Sequence, residues 1–486
     1  MARKNKTIAL FKTLIHYRSF LLGTVILLIF IGLTVYAFVT WPYDEAIKTW
    51  NNPANWEEYP KTAPPEWITL FTGVKEIPGT IILDSKEMRI TNRSFDEITG
   101  LERVELSFSF DYDVFPQDVS ICFIPIRTGM EGNETIKDIG VHRLIWSKPN
   151  GINITIRVGR IPLAERYCMR LRPALEESPV IKGYRDAMRS KFNLSISEVN
   201  ALIEALNLTY KDVLFTDDQA LMENRAIIPL RGTYRITYTY EVKGIDSLEL
   251  RVAILGTVYG IFGTDRLGRD LFMGVAWGTP YALTLGLVAS LISTLLVMLI
   301  AAFAAWYRSV IDITISRVNE IFMVLPFLPT IMMIMVLYGF TIWTLLGVVI
   351  LFSVLGSGAI KSQRALFLQI REMPYIEAAR AYGASNIRIV FMYMVPKVIP
   401  MLIPNIITSV PSFVFLEAAL AVLGVSDPLA ITWGKILDEA YRYAALLGGA
   451  FHWIFAPALT LFLLSIAFAS IGFTLDRVLN PKLRQM

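Results

Sequence analysis

Residues 321–360 read IFMVLPFLPTIMMIMVLYGFTIWTLLGVVILFSVLGSGAI, forty consecutive positions between Glu320 and Lys361 without a charged side chain. A helix crosses the hydrocarbon core with about 20 apolar residues, so this length predicts two spans. Tyr338-Gly339-Phe340-Thr341-Ile342-Trp343 lies between them and offers a tight turn of the aromatic composition that suits a membrane–water interface. Working outward, Phe20–Thr40, Pro280–Ala305, Val398–Leu416 and Ile454–Leu475 supply four more apolar stretches. Any one of them could be a buried core helix, but six together could not. Pro326 and Pro329 in the third span, and Pro396, Pro400, Pro404 and Pro411 in the fifth, predict kinks or partial unwinding.

Composition agrees. Of 486 residues, 54% are hydrophobic and 18% charged, with a mean hydropathy of +0.49, against about 25% charged in a soluble domain. Two cysteines and three histidines exclude a Cys-rich zinc module and a disulfide-dense miniprotein. A net charge of +4 gives no argument for nucleic acid.

The distribution of charge orients the chain. Arg3, Lys4, Lys6, Lys12 and Arg18 precede the first span with no acid among them, which predicts a cytoplasmic amino terminus. No small-residue cleavage site follows the first apolar run, so it reads as a retained anchor. Six spans bring Lys482 and Arg484 back to the same side. The loop 361–397, also inside, holds Lys361, Arg364, Arg371, Arg380, Arg388 and Lys397 against Glu372 and Glu377. Between spans one and two lies an insertion, 42–255, expected outside together with the chain up to about 279. From Asp44 to Glu249 it carries 31 acidic and 25 basic residues, a net of −6, leaving +10 for the rest.

The insertion has sequons at Asn92, Asn133, Asn153, Asn193 and Asn207, which points to a glycosylated exterior face; the sequon at Asn5 is expected inside and unused. Cys122 and Cys168 both fall here, either as a disulfide or as two buried thiols. Thr80–Leu83, Val104–Phe110, Ile152–Ile156 and Tyr234–Tyr240 alternate with strand period. Ser195 and Glu198 form a capping box ahead of the apolar stripe Val199, Leu202, Ile203 and Leu206. The reading is a compact β-rich domain with a few helices. No nucleophile elbow or metal motif occurs in it, and His142 stands alone as a surface or packing histidine.

Within the inner loop, Tyr375-Ile376-Glu377-Ala378-Ala379-Arg380-Ala381-Tyr382-Gly383-Ala384-Ser385-Asn386-Ile387-Arg388-Ile389-Val390 reads as helix, glycine break, helix. Pro374 opens the first helix, where its missing N–H is no loss. Glu377 sits in the first turn, where the helix dipole favours an acid. Ala378, Ala379 and Ala381 keep the surface small for close approach by another protein, and Gly383 permits the left-handed turn that ends the helix. The alternative is an ordinary amphipathic interfacial helix.

This run resembles the EAA loop of ABC-importer permeases. Gly263-Thr264-Asp265-Arg266-Leu267-Gly268-Arg269-Asp270 resembles the GTDxLGRD signature of the dipeptide/oligopeptide group, C-type subunit, and Trp277-Gly278-Thr279-Pro280-Tyr281-Ala282-Leu283 continues it. Glu417-Ala418-Ala419-Leu420-Ala421-Val422-Leu423-Gly424, Thr432-Trp433-Gly434-Lys435-Ile436-Leu437 and the tail Asn480-Pro481-Lys482-Leu483-Arg484 are similar to further family segments. The likeness is loose over 1–41, close over about 256–486, and absent from the insertion. Pro280, Lys397, Ser426 and Phe473-Thr474 depart from the family pattern.

The resemblance implies an α-helical polytopic membrane protein with six transmembrane helices and a β-rich extracellular domain inserted between helices 1 and 2. Its parts are 1–41 (amino terminus and first span), 42–255 (insertion) and 256–486 (permease core with coupling loop 361–397). It implies half of the pore of an ATP-driven peptide importer in the plasma membrane. The implied partners are a homologous second permease, two cytoplasmic ATPases, an extracellular solute-binding protein and membrane lipid. No G-x-x-x-x-G-K-[ST] loop occurs, so ATP and Mg belong to the ATPases, and this chain is expected to bind no cofactor or metal and to catalyse nothing itself. Glu377, Ala378, Ala379, Arg380, Gly383 and Arg388 are the implied ATPase-coupling residues. Glu417 and Gly424 stand at the solute path or outer gate, with a helix-to-helix hydrogen bond as the plainer role for Glu417. Asp265, Gly268, Arg269 and Asp270 form an outer-surface motif, either pairing to fix an interfacial helix or meeting the binding protein. Oligosaccharides or metal chelates are alternative solutes, and a membrane-anchored receptor or enzyme is the alternative class.

Overall fold

The computed structural model describes residues 13–86, 91–96, 100–126, 138–162, 167–170, 178–241, 247–308 and 310–479. They form two compact units, one running up to Asn52 and resuming at Leu271, the other Pro53–Asp270. In chain order the helices are α1 (Arg18–Thr40), α2 (Tyr43–Asn51), α3 (Thr69–Thr72), α4 (Pro179–Phe192), α5 (Ile196–Ala205), α6 (Tyr210–Phe215), α7 (Asp218–Asn224), α8 (Leu271–Tyr307), α9 (Val310–Val324), α10 (Phe327–Tyr338), α11 (Ile342–Leu355), α12 (Ala359–Arg371), α13 (Pro374–Ala381), α14 (Asn386–Ile389), α15 (Val395–Val422), α16 (Trp433–Arg442) and α17 (Phe451–Leu479).

In the first unit, α1, α8, the continuous run Asn386–Val422 that ends in α15, and α17 are each long and apolar enough to cross a membrane. Two further pairs meet that test only together: α9 with α10, bent by 88°, and α11 with α12, bent by 52°. The unit thus has four to six crossing elements among the described residues. The break between α9 and α10 falls at Leu325-Pro326, because proline drives the residue before it out of the helical region. Pro329 makes no second break. It sits in the first turn of α10, where an N–H has no intrahelical partner to lose.

The unwinding expected in the fifth span is not found: α15 runs through Pro400, Pro404 and Pro411, with one wider π-turn at Val390–Met394 ahead of it. The spacing explains this. Pro396 falls in the first turn, and Pro400, Pro404 and Pro411, at roughly 100° per residue, fall within about 40° of one another, so the missing N–H groups lie on one side of the helix and leave the rest of the ladder whole. The core of this unit lies where α15 meets α8 and α17, through Leu283, Val410, Val414, Trp433, Leu464 and Phe468. Trp433 Nε1 donates to the Val275 carbonyl at 2.9 Å.

The second unit contains β1 (Thr80–Asp84), β2 (Thr91–Asp96), β3 (Leu101–Phe110), β4 (Asp118–Ile126), β5 (Asp138–Ser147), β6 (Asn153–Ile156), β7 (Gly159–Pro162), β8 (Tyr167–Arg170), β9 (Gly232–Glu241) and β10 (Ser247–Leu255). They build two antiparallel sheets, β1-β10-β4-β8 and β2-β3-β9-β5-β6, with β7 also on β5. Period-2 patterning sets the inner faces: Val104, Leu106, Phe108 and Phe110 of β3 and Tyr234, Ile236, Tyr238 and Tyr240 of β9 are buried. Val180, Ile181, Tyr184 and Met188 of α4 join that core. The capping box opens α5, Glu198 N–H donating to Ser195 Oγ at 3.3 Å and Ser195 N–H to Glu198 Oε2 at 2.8 Å.

Two cross-links tie distant segments of this unit. Cys122 and Cys168, opposite each other on β4 and β8, are joined by a disulfide. Lys148 and Asp218 form a fully buried ion pair at 2.9 Å. Tyr184 Oη and Asn150 Nδ2 also donate to that carboxylate, each at 2.8 Å, and Lys148 donates to the Thr216 carbonyl at 3.1 Å. Burial pushes the Lys148 ammonium down to about 8, against the pull of Asp218.

Candidate functional site

The inner loop builds its helix–glycine–helix element from local rules. Pro374 occupies the first position of α13 and Glu377 its first turn. Gly383 has φ +76°, Gly383 N–H reaches the Arg380 carbonyl at 2.9 Å, and Ala384 N–H reaches Ala379 at 3.1 Å, the paired bonds of a glycine-terminated helix. Ser385 then caps α14 by accepting from Arg388 N–H at 3.4 Å.

The element has two sides. Ile376, Ala379, Ile389, Val390 and Met394 are buried against Trp306, Phe367 and Ile370 of the same chain. Glu377, Ala378, Arg380, Ala381, Tyr382, Gly383 and Arg388 are exposed, Tyr382 at 92%. This corrects one expectation: Ala379 does not lie on the open surface with Ala378 and Ala381. It sits three residues from Ile376, and on a helix that spacing returns to the same, inward, side.

Trp306, at the end of α8, carries two guanidinium groups on its ring, Arg380 Cζ at 4.5 Å from the centroid and Arg371 Cζ at 5.6 Å. Arg371 also donates to the Ala305 carbonyl at 3.1 Å. Asp312 of α9 takes Arg364 of α12 in a two-pronged pair, both contacts 2.5 Å. Glu320 meets Arg317 at 3.0 Å and Lys361 at 3.3 Å. The sequence reading missed Trp306, Asp312 and Glu320; their signal was position, at the charged edges of apolar runs that face the basic loop.

Glu417 is buried in α15. Gly434 lets α16 approach it: a Cβ there would lie 2.7 Å from Ala418 Cα and 2.9 Å from Glu417 Oε2. Gly424, φ +87°, closes α15 with Gly424 N–H on Ala421 at 2.8 Å and Val425 N–H on Leu420 at 2.9 Å.

The GTDRLGRD segment forms a tight loop in which Asp265 and Arg269 pair, just ahead of the start of α8 at Leu271. Asp265 Oδ1 accepts from Leu267 N–H at 2.8 Å and Arg269 N–H at 2.9 Å, and its Oδ2 pairs with Arg269 Nε at 2.5 Å. A short acid that takes backbone donors in this way competes with helix formation. Gly268 adds φ +89°. Asp265, Gly268 and Arg269 are buried, Asp270 is half-buried, and Arg266 and Leu267 are exposed. Asn92, Asn153, Asn193 and Asn207 are exposed, whereas Asn133 lies outside the described residues. Among the described residues no group of three or more His, Cys, Asp or Glu side chains is placed to hold a metal ion.

These features define a polytopic helical permease that carries a separate β-rich domain. The profile of the binding-protein-dependent transport system inner membrane component matches residues 297–485. Over 229 residues the chain is 31% identical to the dipeptide transport system permease of Bacillus subtilis, a match covering 46% of this chain and 69% of that relative. It is 26% identical over 223 residues to the glutathione transport system permease of Pectobacterium atrosepticum, covering 46% and 72%. With the oligopeptide transport system permease of Bacillus subtilis it shares 25% over 227 residues, again 46% and 72%. The chain belongs to the family of binding-protein-dependent transport inner-membrane components and is a multi-pass plasma-membrane permease.

Proposed function

We propose that this chain forms half of the translocation pore of an ATP-driven importer of peptides. The relatives named for dipeptide, oligopeptide and glutathione transport support the solute class. The bent pairs count as one span each in this reading, giving six crossings with both termini inside and residues about 42–279 outside. The partners are a second permease of the same family, two cytoplasmic ATPases that bind and hydrolyse ATP with Mg, and an external solute-binding protein.

The observation that carries the proposal is the two-sided element at 374–394. Its apolar side is fixed to the inner end of α8 through Ile376, Ala379 and Trp306, with the Arg380 guanidinium over the Trp306 ring, while Glu377, Ala378, Gly383 and Arg388 stand open on the other side. A rigid knob so anchored passes a push from a motor protein directly into a span. Glu417 and Gly424 mark the opposite end of α15. The burial of Glu417 against Gly434 of α16 supports a gate that moves by repacking helices. The four exposed sequon asparagines and the disulfide suit an oxidising, glycosylating exterior.

The test is reconstitution with two ATPases and a binding protein in vesicles, with ATP-dependent uptake of labelled di- and oligopeptides as the readout. Gly383→Val, which forces a branched side chain into φ +76°, is expected to abolish uptake and weaken ATPase association. Intact uptake and association in that variant would refute the coupling role.

A further inference from the structure

The two bent pairs of the membrane unit are tied together on one side of their breaks. In α9, Asp312, Ile315 and Asn319 recur at helical spacing and share a face, which meets α12. Asp312 takes Arg364 in the two-pronged pair, Ile315 packs beside Ile360 and Val354, and Glu320 takes Lys361 at 3.3 Å. Among the described residues, Asn319 is the one buried residue of α9. Its Nδ2 donates to the carbonyls of Leu355 at 2.5 Å and Ser357 at 2.9 Å. Carbonyls at a helix end have no donor within their own helix. An amide of α9 therefore caps α11 at the point where the chain turns into α12.

Beyond the breaks these ties stop. Among the described residues, no other side-chain hydrogen bond or ion pair joins α10 or α11 to α9 or α12; apolar packing of Ile331, Met335, Leu345 and Val349 holds that hairpin. Phe352 touches both sides of the α9–α10 break, its ring 5.4 Å from Phe322 and 6.0 Å from Phe327. A cavity of about 330 Å³ lies between the bends, lined by Phe322, Leu325, Phe327, Ser353 and Gly356 among others, and leaves room for them to close. Pro326 removes a ladder bond at one bend. Gly356 and Gly358 flank Ser357 at the other, where a glycine backbone is free to change angle. Asn319 Oδ1 and Ser357 Oγ are buried at this joint without a hydrogen-bond partner, which raises the energy of the present arrangement and brings a second one closer.

We infer that Asn319 is a positioning residue of transport: it locks α9 and α12 into one arm, and α10 and α11 swing on that arm at the two bends when the coupling element moves. Phe367 and Ile370 of α12 pack with Ile376 and Ala379 of α13, so the arm is joined to that element directly. A stroke delivered there reaches α10 and α11 by a route besides α8. The inference rests on the coupling role proposed above.

The test uses the full chain reconstituted with two ATPases and a binding protein. Both native cysteines are in the disulfide, so introduced cysteines take spin labels selectively. Ile313→Cys on α9 and Leu337→Cys on α10 are each paired with Ala365→Cys on α12, all three positions being exposed. Between the nucleotide-free and ATP-bound states the Ile313–Ala365 distance should stay constant while the Leu337–Ala365 distance shifts. In Asn319→Leu, which keeps the volume but has no donor, the first distance should broaden. Uptake per ATP hydrolysed should fall about tenfold, with ATPase association and basal hydrolysis retained. Distances that shift together, or a Leu337–Ala365 distance that never shifts, overturn the arm. So does Asn319→Leu with unchanged uptake per ATP. Should that variant fail to assemble, the two distances in the Asn319 chain still decide. If the unchanged chain binds no ATPase, the coupling reading falls and takes this inference with it; a chain that binds ATPases and transports with a static Leu337–Ala365 distance sinks the inference alone.

Discussion

The two units solve the same problem in opposite directions. The Pro53–Asp270 unit gathers most of its large aromatic and aliphatic residues into its own core and pins it with a disulfide and a buried ion pair, so its interior is self-sufficient. The membrane unit leaves Leu22, Val25, Leu28, Ile29 and many like them exposed, and most of its ion pairs cluster around α9 and α12, with Arg442–Asp438 apart on α16. One unit is held by its own core. The other is a set of helices whose solvent is lipid.

If that contrast is right, the largest stability loss comes from breaking the buried pair. Asp218→Ala strands the Lys148 ammonium and is expected to cost about 3–5 kcal/mol, read as loss of the second unit's unfolding transition. Replacing both partners, Lys148→Met with Asp218→Leu, should restore most of it. The pH dependence has a definite sign. Folding lowers the Lys148 pKa from 10.5 to about 8, so the unfolded chain holds the extra proton between those values. Stability conferred by this group therefore rises with pH across that window, and the double variant should lack the rise. Next, reducing the Cys122–Cys168 bond, whose partners lie 46 residues apart, should cost about 2–4 kcal/mol in the same transition.

Smaller effects are expected in the membrane unit. Gly434→Ala pushes a Cβ into Ala418 and Glu417 and should destabilise the α15–α16 packing by about 1–3 kcal/mol, measured as thermal unfolding in detergent. Trp306→Leu shrinks a buried side chain and removes the ring beneath Arg380 and Arg371; about 1–3 kcal/mol of local stability should go, seen as faster hydrogen exchange in α13. Glu377→Ala should change this chain's own stability by less than about 0.5 kcal/mol while weakening ATPase co-purification. A large intrinsic loss there would blur the contrast, because it would make the open face part of the chain's own core.

Legibility divided along the same line. Charge-free runs declare their length, so α1, α8 and α17 could be read directly, and Pro326 announced the break before α10. The turn at Gly383 followed from glycine's tolerance of positive φ. Direction was harder. In Tyr375–Ala381 three alanines look alike, and only packing on Trp306 tells Ala379 from Ala378. Pairing across distance was illegible: nothing near Lys148 points to Asp218, seventy positions later. At Asp265 a pairing with Arg269 could be anticipated, but not that the same carboxylate would also take the Leu267 and Arg269 N–H groups.

The prolines of α15 have a mechanical meaning. With the hydrogen bonds of Pro400, Pro404 and Pro411 missing from one side of the helix, the rod has a grain, like timber split along one face. A load from either end makes it yield in one plane and stay stiff in the other. The swing of this span is in that case set by where three rings sit, before any partner touches it.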